Sequence, residues 1–502
     1  MTKKNKRKLI IFITIDNLRK DFENIIIRAL PRSWGMYRFK NFFSVGPYTW
    51  SSFPAIFTST YTYIMKYNPF KGIVNRVSFV EILRKNKFIT IGMNDSNPFL
   101  TRETGYSKGF DYFAERIKSR YSETRYLRYI EYLMSLFKKE YSGETKCIKT
   151  PLSYLLLAVP TSLSIVFNDF ISNHRSLFID SCNLIRNALE KLAKYTRIYS
   201  RNVFLWLHFM DLHFPYSVYV RELHGLHSLI DLTIEYLSII YGINTSEKNL
   251  KYLKDMKIRY YESSACYVSK CLNIFFKLIQ ESIEKLFDIV NVVITSDHGE
   301  EFLEHGAIGH QGFKYLNIRI PHLYNELLHV PFIISGTCIQ GFKEVEMLSS
   351  HYDIAPTLLR IADIFDPIEK LFIGREILLL DNDRLEPNPK YLNNVYYIFS
   401  ESDGAIIKHI AGLSTYGVAT SIIGNRYKFI THPYTGEELY DLKNDPQEKQ
   451  NLVESLPSIV REFKKIYLEL KKRKYKLEIR YKLHFKIKKH YLHNSPRVIE
   501  NS

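Results

Sequence analysis

Three times in this chain an apolar run ends on acidic or imidazole side chains. Asp16 closes LIIFITI, Asp211 and His213 follow VFLWLHF, and Asp297 with His298 follow IVNVVIT. A carboxylate behind a strand is as often a turn or cap residue as a ligand, so each alone says little. Together with the hydroxyl of Thr49 in the turn YTWSS they form a set suited to a divalent cation. Carboxylate oxygens and an imidazole nitrogen hold such an ion, and a hydroxyl beside it can attack an electrophilic ester. Ser51 and Ser52 are rival hydroxyls in the same turn.

Such residues act together only if the strands before them end side by side. Leu9–Ile15 is almost continuously apolar, as a strand buried on both faces should be, and Phe88–Met93, Val203–Phe209, Ile289–Thr295 and Val330–Ser335 repeat the signal. Helical periodicity lies between them, over Ile171 to Tyr199, Leu250 to Leu286 and Tyr352 to Ile364. Ser52 reads as an N-cap with Pro54 in the first turn of a further helix. This alternation predicts an α/β fold, a mainly parallel sheet sandwiched by helices, whose strand C-termini line a ligand crevice. After about residue 387 short alternating stretches and turn residues predict a smaller C-terminal antiparallel sheet. The expected organisation is a catalytic domain over 1–386 with a helical insertion at 113–170, a small α+β subdomain over 387–460, and a basic tail over 461–502.

Bulk properties narrow the class. The chain has 502 residues, 46% hydrophobic and 24% charged, with 70 Lys/Arg against 52 Asp/Glu. Of the excess of 18 positive charges, 10 lie between Arg461 and Glu500, where 14 Lys/Arg face four Glu, so the basic balance describes the tail. Five scattered cysteines without a C-x-x-C pair suit a reducing compartment, and Cys266 and Cys271 read as packing residues on one helix. The basic, apolar start imitates a signal peptide, but its run is short and ends in Asp16, which predicts a buried first strand and a cytoplasmic protein. Pro151 to Phe167 is at the lower limit for spanning a bilayer and contains Pro160, which favours a buried or interfacial segment. From Tyr475 to Ile487 apolar and polar residues alternate strictly, predicting a strand with one cationic face, preceded by a helix over Ile459 to Leu470.

Several segments resemble the sulfatase family of the alkaline phosphatase superfamily, in the family's order. IIFITIDNLRKDF resembles its opening strand, YTWSSFPAIFTSTY its nucleophile segment, and NVFLWLHFMDLHFPY a strand ending in D-x-H-x-P-Y. NVVITSDHGEEFLEHG resembles its metal strand and acidic loop, HVPFIISG and HYDIAPTLLRIADI further segments, and ELYDLKNDPQEKQNLV its C-terminal signature. The resemblance implies that Asp16, Asp297 and His298 hold a metal with Thr49 at the nucleophile position, and that His213 and His310 contact the anionic group or its leaving oxygen. Asp211, His213, His305 and His310 are the alternatives for a second metal or for substrate.

Departures from the family bear on mechanism. Formylglycine enzymes need Cys or Ser at the nucleophile position and Arg four residues on; here Thr49 and Phe53 stand there, and Ser51 replaces the usual Pro. Asn17 replaces a common second Asp and His298 a frequent Asn, which moves the expected ion towards zinc or manganese, with calcium as an alternative. Gln311 to His322 lengthens a gap that is shorter in relatives, with Lys314 and Arg319 as candidate anion contacts. The implied activity is hydrolysis of a sulfate or phosphate ester, on a small molecule, glycan or lipid headgroup, through a covalent ester on Thr49. A membrane-surface phosphoethanolamine- or phosphoglycerol-type transferase is the alternative. The tail is a candidate contact for an anionic membrane, and no nucleic-acid-binding module is recognisable.

Overall fold

The computed structural model describes residues 6–63, 71–95, 97–115, 181–214, 216, 247–310, 313–314, 318–319, 322–381, 384–392, 394, 396–403, 418–432 and 435–494. Pro151 to Phe167, most of the 113–170 insertion, and the side chains of Lys314 and Arg319 lie outside the described residues.

The apolar runs become the centre of an eight-stranded sheet. In chain order its strands are β1 (Lys8–Ile15), β2 (Gly35–Phe39), β3 (Ile89–Asn94), β4 (Tyr112–Glu115), β5 (Val203–Phe209), β6 (Ile289–Thr295), β7 (Phe332–Gly336) and β8 (Phe342–Val345). Across the sheet the order is β8-β2-β7-β6-β1-β5-β3-β4. β1 lies parallel between β5 and β6, and β3 runs parallel to β5 and β4. β7 is antiparallel to both neighbours, so the sheet is mainly but not wholly parallel. Every residue of β1, β5 and β6 is buried, as both-face coverage requires.

Helices cover both faces. On one, α2 (Ser181–Ile198) and α3 (Glu247–Leu278) pack Leu184, Leu192, Val268 and Phe275 against alternate residues of β1 and β5. On the other, α1 (Thr49–Thr58) and α4 (Ile354–Ile361) pack against Ile10, Phe12, Phe204 and Trp206. Trp206 is the anchor there: fully buried, it lies 4.9 Å from the Phe57 ring and 6.0 Å from that of Phe53, and its indole N–H donates to Thr14 Oγ1 at 3.0 Å. That packing fixes the roll of α1, the helix that begins with Thr49. The expected start at Ser52 was late by one turn. Tyr48 is the N-cap, and Ser51 Oγ accepts from the Tyr48 N–H at 3.0 Å, so the serines bond within the helix start.

A four-stranded antiparallel sheet follows, from β9 (Ile398–Asp403), β10 (Val418–Ile423), β11 (Tyr427–His432) and β12 (Gly436–Asp441), in agreement with the alternation after residue 387. It is tied to the loops of the large sheet through Asn325, whose N–H donates to Glu448 Oε2 at 2.6 Å and whose Oδ1 accepts from Lys428 Nζ at 3.2 Å, while Lys428 and Glu448 form a fully buried ion pair with each other at 2.7 Å.

Two expectations fail. Cys182 on α2 and Cys271 on α3 form a disulfide, closing a separation of 89 residues, so Cys271 is not merely a packing residue and the reading of a chain without disulfides is corrected. The strand expected at Tyr475–Ile487 is instead part of one long helix, α5 (Pro457–Asn494). The strict alternation misled because two helical rows interleave. Leu477 and Tyr481, four apart, are buried in the core, while Tyr475, Ile479 and Leu483, also four apart, are exposed. Interleaved i, i+4 rows on opposite faces reproduce a period of two.

Candidate active site

The C-terminal ends of β1, β6, β5 and β3 converge as a parallel arrangement requires. Asp16 extends the β1 ladder by one bond, its N–H donating to Phe209 O at 2.8 Å, and its side chain is fully buried. Ser296 couples the β1 and β6 loops, its Oγ accepting from the Leu18 N–H at 2.8 Å and lying 2.7 Å from Ile15 O. Asp297 and His298 follow, both buried.

Side-chain atoms of Asp16, Asp297 and His298 lie within 4.8 Å of one another. Thr49 joins them from the first turn of α1. Its hydroxyl donates to Asp297 Oδ2 at 2.8 Å and lies 3.3 Å from Asp16 Oδ2. Ser52 Oγ instead bonds the Thr49 carbonyl at 3.3 Å, so neither rival serine shares that position. The positive end of the helix dipole favours negative charge at Thr49, although the N–H groups of Ser51 and Ser52 turn back onto the Tyr48 carbonyl.

The donor set fits a divalent cation. His298 Nδ1 lies 2.9 Å from the Gly299 carbonyl, to which it donates, which turns Nε2 with its lone pair towards the carboxylates. Nε2 is 3.5 Å from Asp297 Oδ2 and 3.9 Å from Asp16 Oδ1. His298 Nε2 and Asp16 Oδ1 are both buried without a hydrogen-bond partner, as are the side-chain atoms of Asn17, which stands at φ 62°. Buried polar atoms go unpaired at a cost, and a cation would satisfy Asp16 Oδ1 and His298 Nε2 at once. Electrostatics agree. Burial opposes ionisation of Asp16, yet His208, His213 and His298 hold its carboxyl well below the usual range. Burial and the neighbouring Asp16 push Asp297 up, and although burial disfavours the His298 imidazolium, Asp297 and Asp16 outweigh it. Two buried carboxylates side by side are short of positive charge.

The remaining imidazoles divide. The rings of His213 and His310 are 5.2 Å apart, and that of His310 is 4.6 Å from His298, so both border the site. His310 Nδ1 is 2.9 Å from Glu300 Oε2, and Lys257 Nζ is 2.6 Å from Glu300 Oε1. Burial works against the Glu300 carboxylate, but Lys257 and His310 hold it at about 2, so His310 Nδ1 must be the donor. Burial lowers His310 itself to about 4. Asp211 and His305 point elsewhere. The Asp211 carboxylate bonds the Ser181 hydroxyl at the start of α2, and His305 pairs with Glu326 at 3.4 Å while stacking on Tyr324. Among the described residues the second-metal set Asp211, His213, His305 and His310 therefore does not meet in one place.

Sequence reasoning missed Asn97, His208, Glu300 and Lys257. Asn97 Nδ2 lies 3.1 Å from Asp16 Oδ2 and 3.3 Å from Thr49 Oγ1, and His208 Nε2 lies 3.6 Å from Asp16 Oδ2. The rule used for the other strands, extended to the loop after β3, reaches the right loop but selects Asp95, because it did not count amides. His208 sits inside a strand and Lys257 inside a helix, where no periodicity marks them.

Comparison with known proteins bears on the family and the fold. The family description "Sulfatase" matches residues 8–364, and "N-sulphoglucosamine sulphohydrolase, C-terminal" matches residues 313–480. Arylsulfatase K of Bos taurus is 31% identical over 172 residues, 34% of this chain and 28% of that protein. Delta 4,5-hexuronate-2-O-sulfatase of Bacteroides thetaiotaomicron is 31% identical over 168 residues, 32% of this chain and 30% of that protein. The chain thus matches less than a third of the length of these curated relatives. Among solved structures, the phosphonate monoester hydrolase of Silicibacter pomeroyi superposes with a TM-score of 0.62 at 15% identity, covering 93% of this chain and 96% of that one. A protein solved with its substrate D-glucosamine-2-N,6-O-disulfate superposes at 0.61 with 15% identity, covering 94% and 98%. At such identities the superpositions speak for the fold.

Proposed function

The chain belongs to the sulfatase family, and from that premise we propose that it is a metal-dependent hydrolase of sulfate or phosphate esters with Thr49 as nucleophile. The observation that carries the reading is the placement of Thr49 Oγ1, 2.8 Å from Asp297 and beside the unpartnered Asp16 Oδ1 and His298 Nε2.

Asp16, Asp297 and His298 are the residues that would hold the ion. When bound, a divalent cation there would polarise the ester and lower the pKa of a hydroxyl beside it. The chain's own residues do the rest. Asn97 donates towards Thr49 Oγ1 and Asp16, fixing the hydroxyl's lone pairs, while Asp297 accepts its proton. Attack of Oγ1 in line with the leaving oxygen gives a covalent ester on Thr49, which water then resolves. His213 and His310 border the site where the leaving oxygen departs, with His310 oriented through Glu300 by Lys257. Oxidation to formylglycine needs Cys or Ser, and Thr49 is neither. The two serines nearby are engaged in the helix start.

Arylsulfatase K and the hexuronate sulfatase are named for sulfate esters, and the phosphonate hydrolase for a phosphonate, so both ester classes belong in the test. The nitrogen-containing donor set favours zinc or manganese over calcium. A panel of p-nitrophenyl sulfate, phosphate, phosphodiester and phosphonate, each with Zn²⁺, Mn²⁺, Ca²⁺ and Mg²⁺, tests the reading. Turnover of at least one ester that is lost with chelator and restored by zinc or manganese supports it. Turnover that survives chelation counts against it. No described helix is long and apolar enough to cross a membrane.

A further inference from the structure

The helix that overturned the expected strand carries two apolar rows, and only one of them is used. Phe463, Leu470, Leu477 and Tyr481 of α5 face inward and are buried in one core cluster with the small sheet and residues of the large domain, Phe463 lying 6.0 Å from Phe429. On the opposite side Leu468, Tyr475, Ile479 and Leu483 are 57%, 67%, 41% and 54% exposed. At 100° per residue these four fall within one narrow stripe, almost diametrically across from the buried row, and span about 22 Å of helix. Single exposed apolar side chains are ordinary, but an aligned row of four large ones is not.

The surroundings of the row say what covers it. On the same helical projection Lys464, Lys471 and Lys482 run along one edge, Lys465 and Lys476 along the other, and Lys472 lies within it. All six are exposed. Their acidic contacts are surface pairs, Lys472 with Glu469 at 2.9 Å, Lys482 with Glu478 at 2.7 Å and Lys464 with Glu437 at 2.9 Å, which exchange readily with solvent. An apolar stripe edged by lysines, on a helix too polar to cross a bilayer, is the chemistry of a helix lying in a membrane interface. The apolar side chains enter the acyl boundary while the lysine stems snorkel to anionic headgroups. We propose that the outward face of α5 docks this protein on an anionic lipid surface. A soluble polyanion would use the lysines but leave the apolar row without purpose. A second copy of the chain would bring two like-charged stripes together.

Vesicle flotation of the full chain tests this, with phosphatidylcholine alone and with phosphatidylcholine/phosphatidylserine, at low and physiological salt. The protein should float with the anionic vesicles, less so as salt rises. Leu468→Gln, Tyr475→Gln, Ile479→Gln and Leu483→Gln together should weaken binding at least about tenfold, since they remove the apolar insertion. Lys465→Gln, Lys472→Gln and Lys476→Gln together should erase most of the preference for anionic vesicles, at about fivefold per charge. All these side chains face away from the core, so unchanged thermal unfolding certifies the variants as folded. Absence of flotation by the unmodified chain overturns the proposal. So does binding that survives loss of the apolar row, which marks a site read by charge alone. A dimer that the apolar substitutions disperse, without vesicle binding, assigns the face to a second copy and overturns it as well.

Discussion

Thr49 stands at the meeting point of three strand ends, and its hydroxyl contacts two buried carboxylates and an amide while contributing almost nothing to the core. Thr49→Ala should therefore lower turnover by about three orders of magnitude or more while leaving the unfolding midpoint nearly unchanged. Thr49→Ser, which keeps the hydroxyl, should retain partial activity. If Ser51→Ala or Ser52→Ala proves to be the inactive variant, the nucleophile lies two or three residues further on. Asp16, Thr49, Asp297 and His298 were legible because each follows an apolar run or opens a helix, where side chains collect at the rim of a parallel sheet. Asn97 follows a strand as well, but the rule sought acidic and imidazole side chains and in that loop it meets Asp95 first. His208 lies within β5, and only its register beside Thr14 brings it to Asp16.

Elements were read best where burial is symmetric. β5 and β6 fall at Val203–Phe209 and Ile289–Thr295, as expected, because strands covered on both faces are apolar throughout. Reading failed where a helix is apolar on two faces, as in α5, and where a contact is long-range, as in Cys182–Cys271. No local pattern announces a covalent link between two helices 89 residues apart. Closing a loop of that size restricts the unfolded chain, so reduction, or Cys182→Ser, should cost about 4 kcal/mol in a urea titration. An unchanged titration midpoint would show that the link does not form. Trp206→Ala tests the platform beneath the nucleophile helix. It opens a cavity among Phe53, Phe57 and Phe110, and should destabilise by about 3–5 kcal/mol, with turnover falling in those molecules that remain folded as α1 loses its seat.

Across the whole molecule, the large sheet supplies the candidate site and the small sheet is fastened to its loops through Asn325, which bonds both members of a buried ion pair. Lys428 and Glu448 are both fully buried at 2.7 Å, so Lys428→Ala strands a carboxylate and should cost about 3–5 kcal/mol by chemical denaturation. A change within about 0.5 kcal/mol, the usual range for surface sites, would place that pair in water and contradict its burial. Transient esterification of Thr49 can be measured directly. The protein is mixed with an ester that the proposed activity would turn over, quenched in acid before the steady state decays, and digested with trypsin, which releases residues 41–66 as one peptide. Mass spectrometry should find that peptide heavier by one transferred sulfuryl or phosphoryl group, with fragmentation placing the group on Thr49, and Thr49→Ala should abolish the adduct. A peptide carrying an oxidised Ser51 or Ser52 in place of that adduct, or an adduct that persists in Thr49→Ala, would contradict it.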